Sequence, residues 1–254
     1  CELQGKMLFN WIWSAGLLGL LPSIVYVLLA RESLLLPGIY YDEVLQAVPA
    51  IAALKGTING PIVQVEGSVI LLDSHPFPLL ILPYLGAVQA AILSLVFAIA
   101  DVSVQSMRST FIVLGTVPLI LTYYFTRRIL GNQTALLSAM FLATDSTYVF
   151  FTRSDFGPVN IMMIVKLGAL WLLVMWWQTQ RSIWLLIASF LCGFGIYDKI
   201  NFLWFLVAAC ASALFIYNRE VLRRVRKAKW YLWLGVIICL CTGASITIVY
   251  SILT

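Results

Sequence analysis

The sequence predicts an all-α polytopic membrane protein with about seven transmembrane helices and an extracytoplasmic first loop that contains interfacial helices. Three observations carry that prediction. First, 62% of the 254 residues are hydrophobic and 11% are charged, so the apolar surface exceeds what one soluble core can enclose. Second, eight apolar runs, near 9–30, 77–100, 109–126, 134–151, 158–177, 183–197, 201–217 and 230–253, approach the length that crosses a bilayer. Third, six of the sixteen basic residues lie in NREVLRRVRKAK, residues 218–229, between two of those runs. Such a cluster marks a cytoplasmic loop by the positive-inside bias and speaks against a nucleic-acid partner, despite a net charge of +5.

The first run, 9–30, has no small-residue cleavage site behind a short apolar stretch and reads as a retained anchor. Residues 31–108 then form the large first loop. Its 31–76 portion carries Arg31 and Lys55 against Glu32, Asp42, Glu43, Glu66 and Asp73, an acidic stretch in a basic chain. KGTINGP at 55–61 is a turn by its Gly, Asn and Pro content. The run at 77–100 is the weakest spanning segment, because Pro76, Pro78 and Pro83 break its start and about 17 residues follow, near the lower limit for a span. It is assigned to the interface. Seven crossings from a cytoplasmic N-terminus then place Lys6, Arg127, Arg128, Arg181 and the 218–229 cluster inside, whereas eight would put Arg127 and Arg128 outside. Cys192, Cys210, Cys239 and Cys241 sit within apolar runs as small hydrophobes, with no disulfide framework or thiolate metal site. The whole of 1–254 reads as a single membrane module.

Against this apolar background the charged residues stand out. Asp42 and Glu43, in GIYYDEVLQAVPAI, fit acids at a helix start, favoured by exposed N–H groups and the helix dipole. They equally fit a general base at a cavity mouth, or a divalent metal site completed by Glu66, Asp73 or the single histidine, His75. TDSTYVFFTRSDFGPVNIMMIVKLGALW, residues 144–171, sets Asp145, Arg153, Asp155 and Lys166 around one turn, with Pro158 opening the next helix. In a helical hairpin Asp145 and Lys166 would both lie roughly 12 Å below the turn. An unpaired charge there costs at least about 2.5 kcal/mol, so the two are expected to neighbour each other or line a wet cavity, as a structural ion pair or a functional one. Arg108 opens the run at 109, and Lys199 follows Asp198 in GFGIYDKINFLW at another outward turn. Singly these are helix-end charges. Together Arg108, Arg153 and Lys199 would suit a lipid-linked phosphate, which gains charge as it leaves. The tryptophans near span ends, such as Trp176, Trp177, Trp230 and Trp233, form an interfacial belt.

The succession of these motifs is more specific than any one of them. An acidic pair after the first span, HPFP...PYLGA, Arg108, YYFTRRILG, LATDSTYVFFTRSDFGP and GFGIYDKINFLW occur in that order. The succession resembles the polyprenyl-phosphate-sugar-dependent glycosyltransferases of the protein O-mannosyltransferase type, with the membrane glycosyltransferase C fold, over roughly residues 9–217. The resemblance implies Asp42 as the base that deprotonates an acceptor hydroxyl, with Glu43 assisting. It implies Arg108, Arg153 and Lys199 as ligands of the donor phosphate, and one inverting displacement without a covalent sugar-enzyme intermediate. His75, Asp145, Asp155 and Lys166 remain cavity or structural residues; no cofactor is required, and a divalent metal is left open. The implied partners are a polyprenyl-phosphate-linked sugar and membrane lipid, in a bacterial inner membrane with the active face extracytoplasmic. Family members continue well past this length, so the chain is expected to be an N-terminal module: a truncated enzyme, a split enzyme whose partner chain supplies the C-terminal part, or a module retained as a subunit without catalysis. The competing classes are a non-catalytic, glycosyltransferase-like subunit of a larger membrane complex and a small transporter.

Overall fold

Helices dominate the computed structural model, which describes residues 18–32, 34–55, 69–72, 75–157, 159–227 and 229–253. Glu66, Asp73 and Pro158 lie outside the described residues. In chain order the helices are α1 (Leu21–Ala30), α2 (Tyr41–Lys55), α3 (Val88–Ile99), α4 (Val104–Leu130), α5 (Asn132–Thr144) and α6 (Ser146–Arg153). They continue as α7 (Asn160–Thr179), α8 (Ser182–Asp198), α9 (Phe202–Lys227), α10 (Trp230–Gly243) and α11 (Ser245–Leu253). The chain packs as two compact units interleaved in sequence. One falls in Cys1–Glu43 and Asp101–Asn160, the other in Val44–Ala100 and Ile161–Thr254.

In the first unit, α1 packs against α4, α5 and α6. Ser103 starts α4 with a reciprocal capping box: its side chain accepts from Ser106 N–H while the Ser106 hydroxyl accepts from Ser103 N–H. The 27-residue helix spans about 40 Å and ends with Arg127 and Arg128 in its last turn, where cations complement the dipole. Helix α5 lays Ala135, Ala139 and Ala143, all fully buried, along one stripe, with Ala135 and Ala139 packed against Tyr123 of α4. Small residues every fourth position let helix backbones approach closely where lipid offers no hydrophobic drive to association. The run at 134–151 was expected as one apolar segment, but the polar TDST at 144–147 interrupts it, and there α5 and α6 meet at a 63° bend. Asp145 explains the break: its carboxylate accepts the Tyr148 N–H at 2.6 Å and so starts α6 as its N-cap. It therefore lies at a helix end rather than in the middle of a continuous helix.

In the second unit, the described residues among 69–86 depart from the expected all-α class. They form two antiparallel hairpins, β1 (Val69–Leu72) with β2 (His75–Pro78) and β3 (Leu80–Leu82) with β4 (Leu85–Gly86). Pro76 and Pro78 sit opposite Leu71 and Val69. Proline is tolerated there because each strand of a two-stranded sheet is an edge. Helices α8 and α10 cross so closely that a Cβ on Gly193 would collide with the Leu240 carbonyl, and one on Gly243 with the Phe190 carbonyl. A second bend, of 71°, follows immediately between α10 and α11.

By length and composition α4 and α7 can each cross a membrane, and the bent pairs α5–α6 and α10–α11 raise the number of candidate crossings among the described residues to four. The segments Leu21–Ala30, Ser182–Asp198 and Phe202–Ile216 are apolar but shorter. Helix α3, at 12 residues, reaches about 18 Å, well short of the roughly 30 Å hydrocarbon core. The chain is thus a helical integral membrane protein, and among the described residues fewer helices are long enough in themselves to cross than the seven spans expected from hydropathy, the first of which begins outside the described residues.

Candidate functional site

The first unit gathers Glu43, Arg108, Arg153 and Asp42 around the start of α2. Glu43 accepts the Tyr40 N–H through Oε2 at 2.8 Å, which satisfies an otherwise orphaned donor at the helix start. The same carboxylate takes Arg108 in two parallel bonds, Nε–H to Oε1 at 2.7 Å and Nη2–H to Oε2 at 2.8 Å, the bidentate geometry peculiar to arginine. Both side chains are fully buried. Arg108 also donates Nη1–H to the Leu34 and Pro37 carbonyls at 2.7 and 3.1 Å, and Nη2–H to the Gly38 carbonyl at 3.1 Å. A guanidinium has five N–H donors, and here each has an acceptor. In this arrangement Arg108 has no donor left for the phosphate it was expected to hold, because carbonyls that sequence spacing does not reveal surround it.

Arg153, at the end of α6, reaches the same stretch of chain. Its Nη1–H and Nη2–H donate to the Glu32 and Leu36 carbonyls, each at 3.0 Å, while its buried Nε–H has no acceptor among the described residues.

Asp42 precedes Glu43 and is half-buried. Its Oδ2 accepts the Gly157 N–H at 2.8 Å, and Oδ1 makes no hydrogen bond among the described residues. The donor reaches it through an irregular turn after α6. Asp155 (φ 45°) and Gly157 (φ 73°) both adopt left-handed backbone, a conformation open to glycine and unusual for aspartate. Asp155 stabilises the turn by accepting the Val159 and Asn160 N–H groups on Oδ1 at 3.0 and 3.1 Å, capping the start of α7. The Asn160 amide in turn donates to the Thr152 carbonyl at 2.9 Å. Tyr40, Phe150, Phe151 and Phe156 close around this turn, with Tyr40 edge-on to Phe156 at 5.2 Å and to Phe150 at 5.9 Å between centroids.

The structure therefore unites Asp42, Glu43, Arg108, Arg153 and Asp155 in one unit. Gly157 and the aromatic cluster were not anticipated. A backbone N–H donor leaves no trace in residue type, although the DFGPVN turn, with its Asp and Gly, is the signal that could have raised it. Asp145 stands apart at the α5–α6 break. Lys166 and Lys199 belong to the second unit. Lys166 Nζ lies 5.7 Å from the Phe205 ring centroid, a cation–π arrangement. Lys199 follows α8, where it forms a β-bridge with Leu85, and the neighbouring Ile200 N–H donates to the Tyr84 carbonyl at 3.1 Å. His75 opens strand β2. Among the described residues no three His, Cys, Asp or Glu side chains group to hold a metal ion.

A family model described as dolichyl-phosphate-mannose-protein mannosyltransferase matches residues 85–248, a span that includes Arg108, the DFGP turn and Lys199 and begins after the acidic pair. No curated protein and no solved structure matches the chain.

Proposed function

Because this chain belongs to the dolichyl-phosphate-mannose-protein mannosyltransferase family, we propose that it transfers mannose from a polyprenyl-phosphate donor to an acceptor hydroxyl on the extracytoplasmic face of the membrane. The observation that carries the proposal is the state of Asp42: one carboxylate oxygen is tied to Gly157 N–H and the other is uncommitted among the described residues. A carboxylate so held keeps a fixed direction while retaining an acceptor site for a hydroxyl proton. As the acceptor oxygen attacks the anomeric carbon, its proton passes to Asp42 Oδ1. The carbon–oxygen bond to phosphate breaks with inversion, and the polyprenyl phosphate leaves with the bond's electron pair.

Within the first unit, Arg153 is the cation proposed for the donor phosphate, through its Nε–H, which has no acceptor among the described residues. The seven-crossing topology with a cytoplasmic N-terminus also belongs to this proposal. It is supported by the two full-length helices, the two bent pairs and the three shorter apolar helices α1, α8 and α9.

The test is sugar transfer from a defined polyprenyl-phosphate mannose in membranes containing equal amounts of wild type and Asp42→Asn. Loss of a general base lowers rates typically by about 10²–10⁴-fold, and a loss of that order is expected. Equal transfer by the two would remove Asp42 as the base. Absence of transfer by the wild type itself would favour the non-catalytic subunit.

A further inference from the structure

We infer that Arg108 and Glu43 are a positioning pair for Asp42, acting through a strap of chain at residues 32–38, and that Arg108 is not a ligand of the donor phosphate. The catalytic consequence rests on Asp42 being the base, but the strap itself does not. All five Arg108 N–H groups are engaged, two on Glu43 and three on the carbonyls of Leu34, Pro37 and Gly38, with both side chains fully buried. A phosphate could reach Arg108 only by displacing one of these charge-assisted bonds inside a closed pocket.

The described residues of the strap, 32 and 34–38, have no regular secondary structure, so their carbonyls have no ladder or helix to satisfy them. Two arginines from different helices supply that need instead. Arg108 of α4 takes residues 34, 37 and 38, and Arg153 of α6 takes residues 32 and 36. Glu43 then ties the strap to α2, because the Oε2 that receives Arg108 also accepts the Tyr40 N–H. Asp42 lies between Tyr40 and Glu43 in the chain, so this closed ring fixes the backbone on both its sides. Its remaining anchor, Gly157 N–H, comes from the turn that follows α6, the helix that carries Arg153. Bidentate geometry makes the arrangement particular to arginine. Lysine preserves the charge and loses the fork.

The experiment uses the full chain in lipid nanodiscs as wild type, Arg108→Lys, Glu43→Gln and the double variant. It measures kcat, the KM for polyprenyl-phosphate mannose, and hydrogen exchange of the 32–43 backbone. Each single variant is expected to lower kcat at least about tenfold with donor KM within about twofold, since misplacing a reacting group by an ångström costs that much or more. The double variant is expected to be no worse than the poorer single, because residues that act as a unit lose their effect together. Exchange across 32–43 should rise in all three. A raised donor KM with kcat retained would make Arg108 a phosphate ligand and overturn the inference, as would unchanged exchange in folded Arg108→Lys. If Arg108→Lys does not fold, Glu43→Asp, which keeps both charges and withdraws the carboxylate by one methylene, must give the same kcat loss and exchange gain. A wild type that transfers no sugar while the variants lose protection would defeat the catalytic reading of Asp42 and leave the strap standing. Active wild type with unchanged protection in the variants would do the reverse.

Discussion

Two neighbouring carboxylates at one helix start have different tasks because their surroundings differ. Glu43 is closed off with Arg108 and three loop carbonyls, whereas Asp42 has one anchored oxygen and one with no partner among the described residues. Removing either partner of a buried ion pair leaves an uncompensated charge, so Glu43→Ala or Arg108→Ala is expected to destabilise the protein by about 3–5 kcal/mol, read as a fall in thermal midpoint in detergent. Asp42→Asn keeps its acceptor for Gly157 N–H and should leave that midpoint within about 0.5 kcal/mol of wild type. Asp155 gives a second contrast. Asp155→Ala removes the cap on Val159 and Asn160, at a cost of about 1 kcal/mol, and loosens the turn that delivers Gly157, so both stability and transfer should fall. Asp155→Asn keeps a cap oxygen and should retain most of each. The acidic pair itself was legible in the sequence as the anomaly of an apolar chain. The division of labour within it was not, since it depends on a backbone N–H and on carbonyls some seventy residues from Arg108.

The elements were legible where composition and length agree and obscure where apolar sequence continues through a break. Helices α4 and α7 correspond to runs at 109–126 and 158–177, with polar ends that mark their limits. The bends at Asp145 and Ala244 lie inside runs expected as single apolar spans, although the polar TDST at 144–147 and the small TGAS at 242–245 mark the two breaks. The hairpins at 69–86 escaped because three prolines argued against a span without saying what replaces it. Close helix packing is encoded just as locally, in single glycines. Gly193→Ala would drive a methyl group into the Leu240 carbonyl, which is backbone and cannot rotate away, so α8 and α10 must separate. We expect a loss of at least about 1–3 kcal/mol, measured by thermal unfolding, with no effect confined to donor KM. An unchanged thermal midpoint would contradict the close crossing.

At the scale of the whole molecule, the membership of a mannosyltransferase family and the apolar helices establish a membrane protein of glycosyltransferase type. Hydropathy and motif order made both readable from the sequence. The two units were not readable, because each is assembled from separated segments and no linker or change of composition divides them. The proposed orientation rests on charge: Arg127 and Arg128 lie in the last turn of α4, the end that the positive-inside bias would assign to the cytoplasm. In a cysteine-free background, Ser103→Cys should react with a membrane-impermeant thiol reagent from outside intact cells, and Gln133→Cys only after permeabilisation. The opposite pattern would invert the topology and remove Asp42 from the extracytoplasmic face. The central claim is that this membrane chain transfers mannose in one inverting displacement with Asp42 as base. Its most direct test is the anomeric configuration and rate of product formed by purified protein in vesicles from a polyprenyl-phosphate mannose of known configuration. The account predicts a product of opposite configuration from wild type, and formation slowed by about 10²-fold or more in folded Asp42→Asn. Retained configuration, or equal rates for the two proteins, would contradict it.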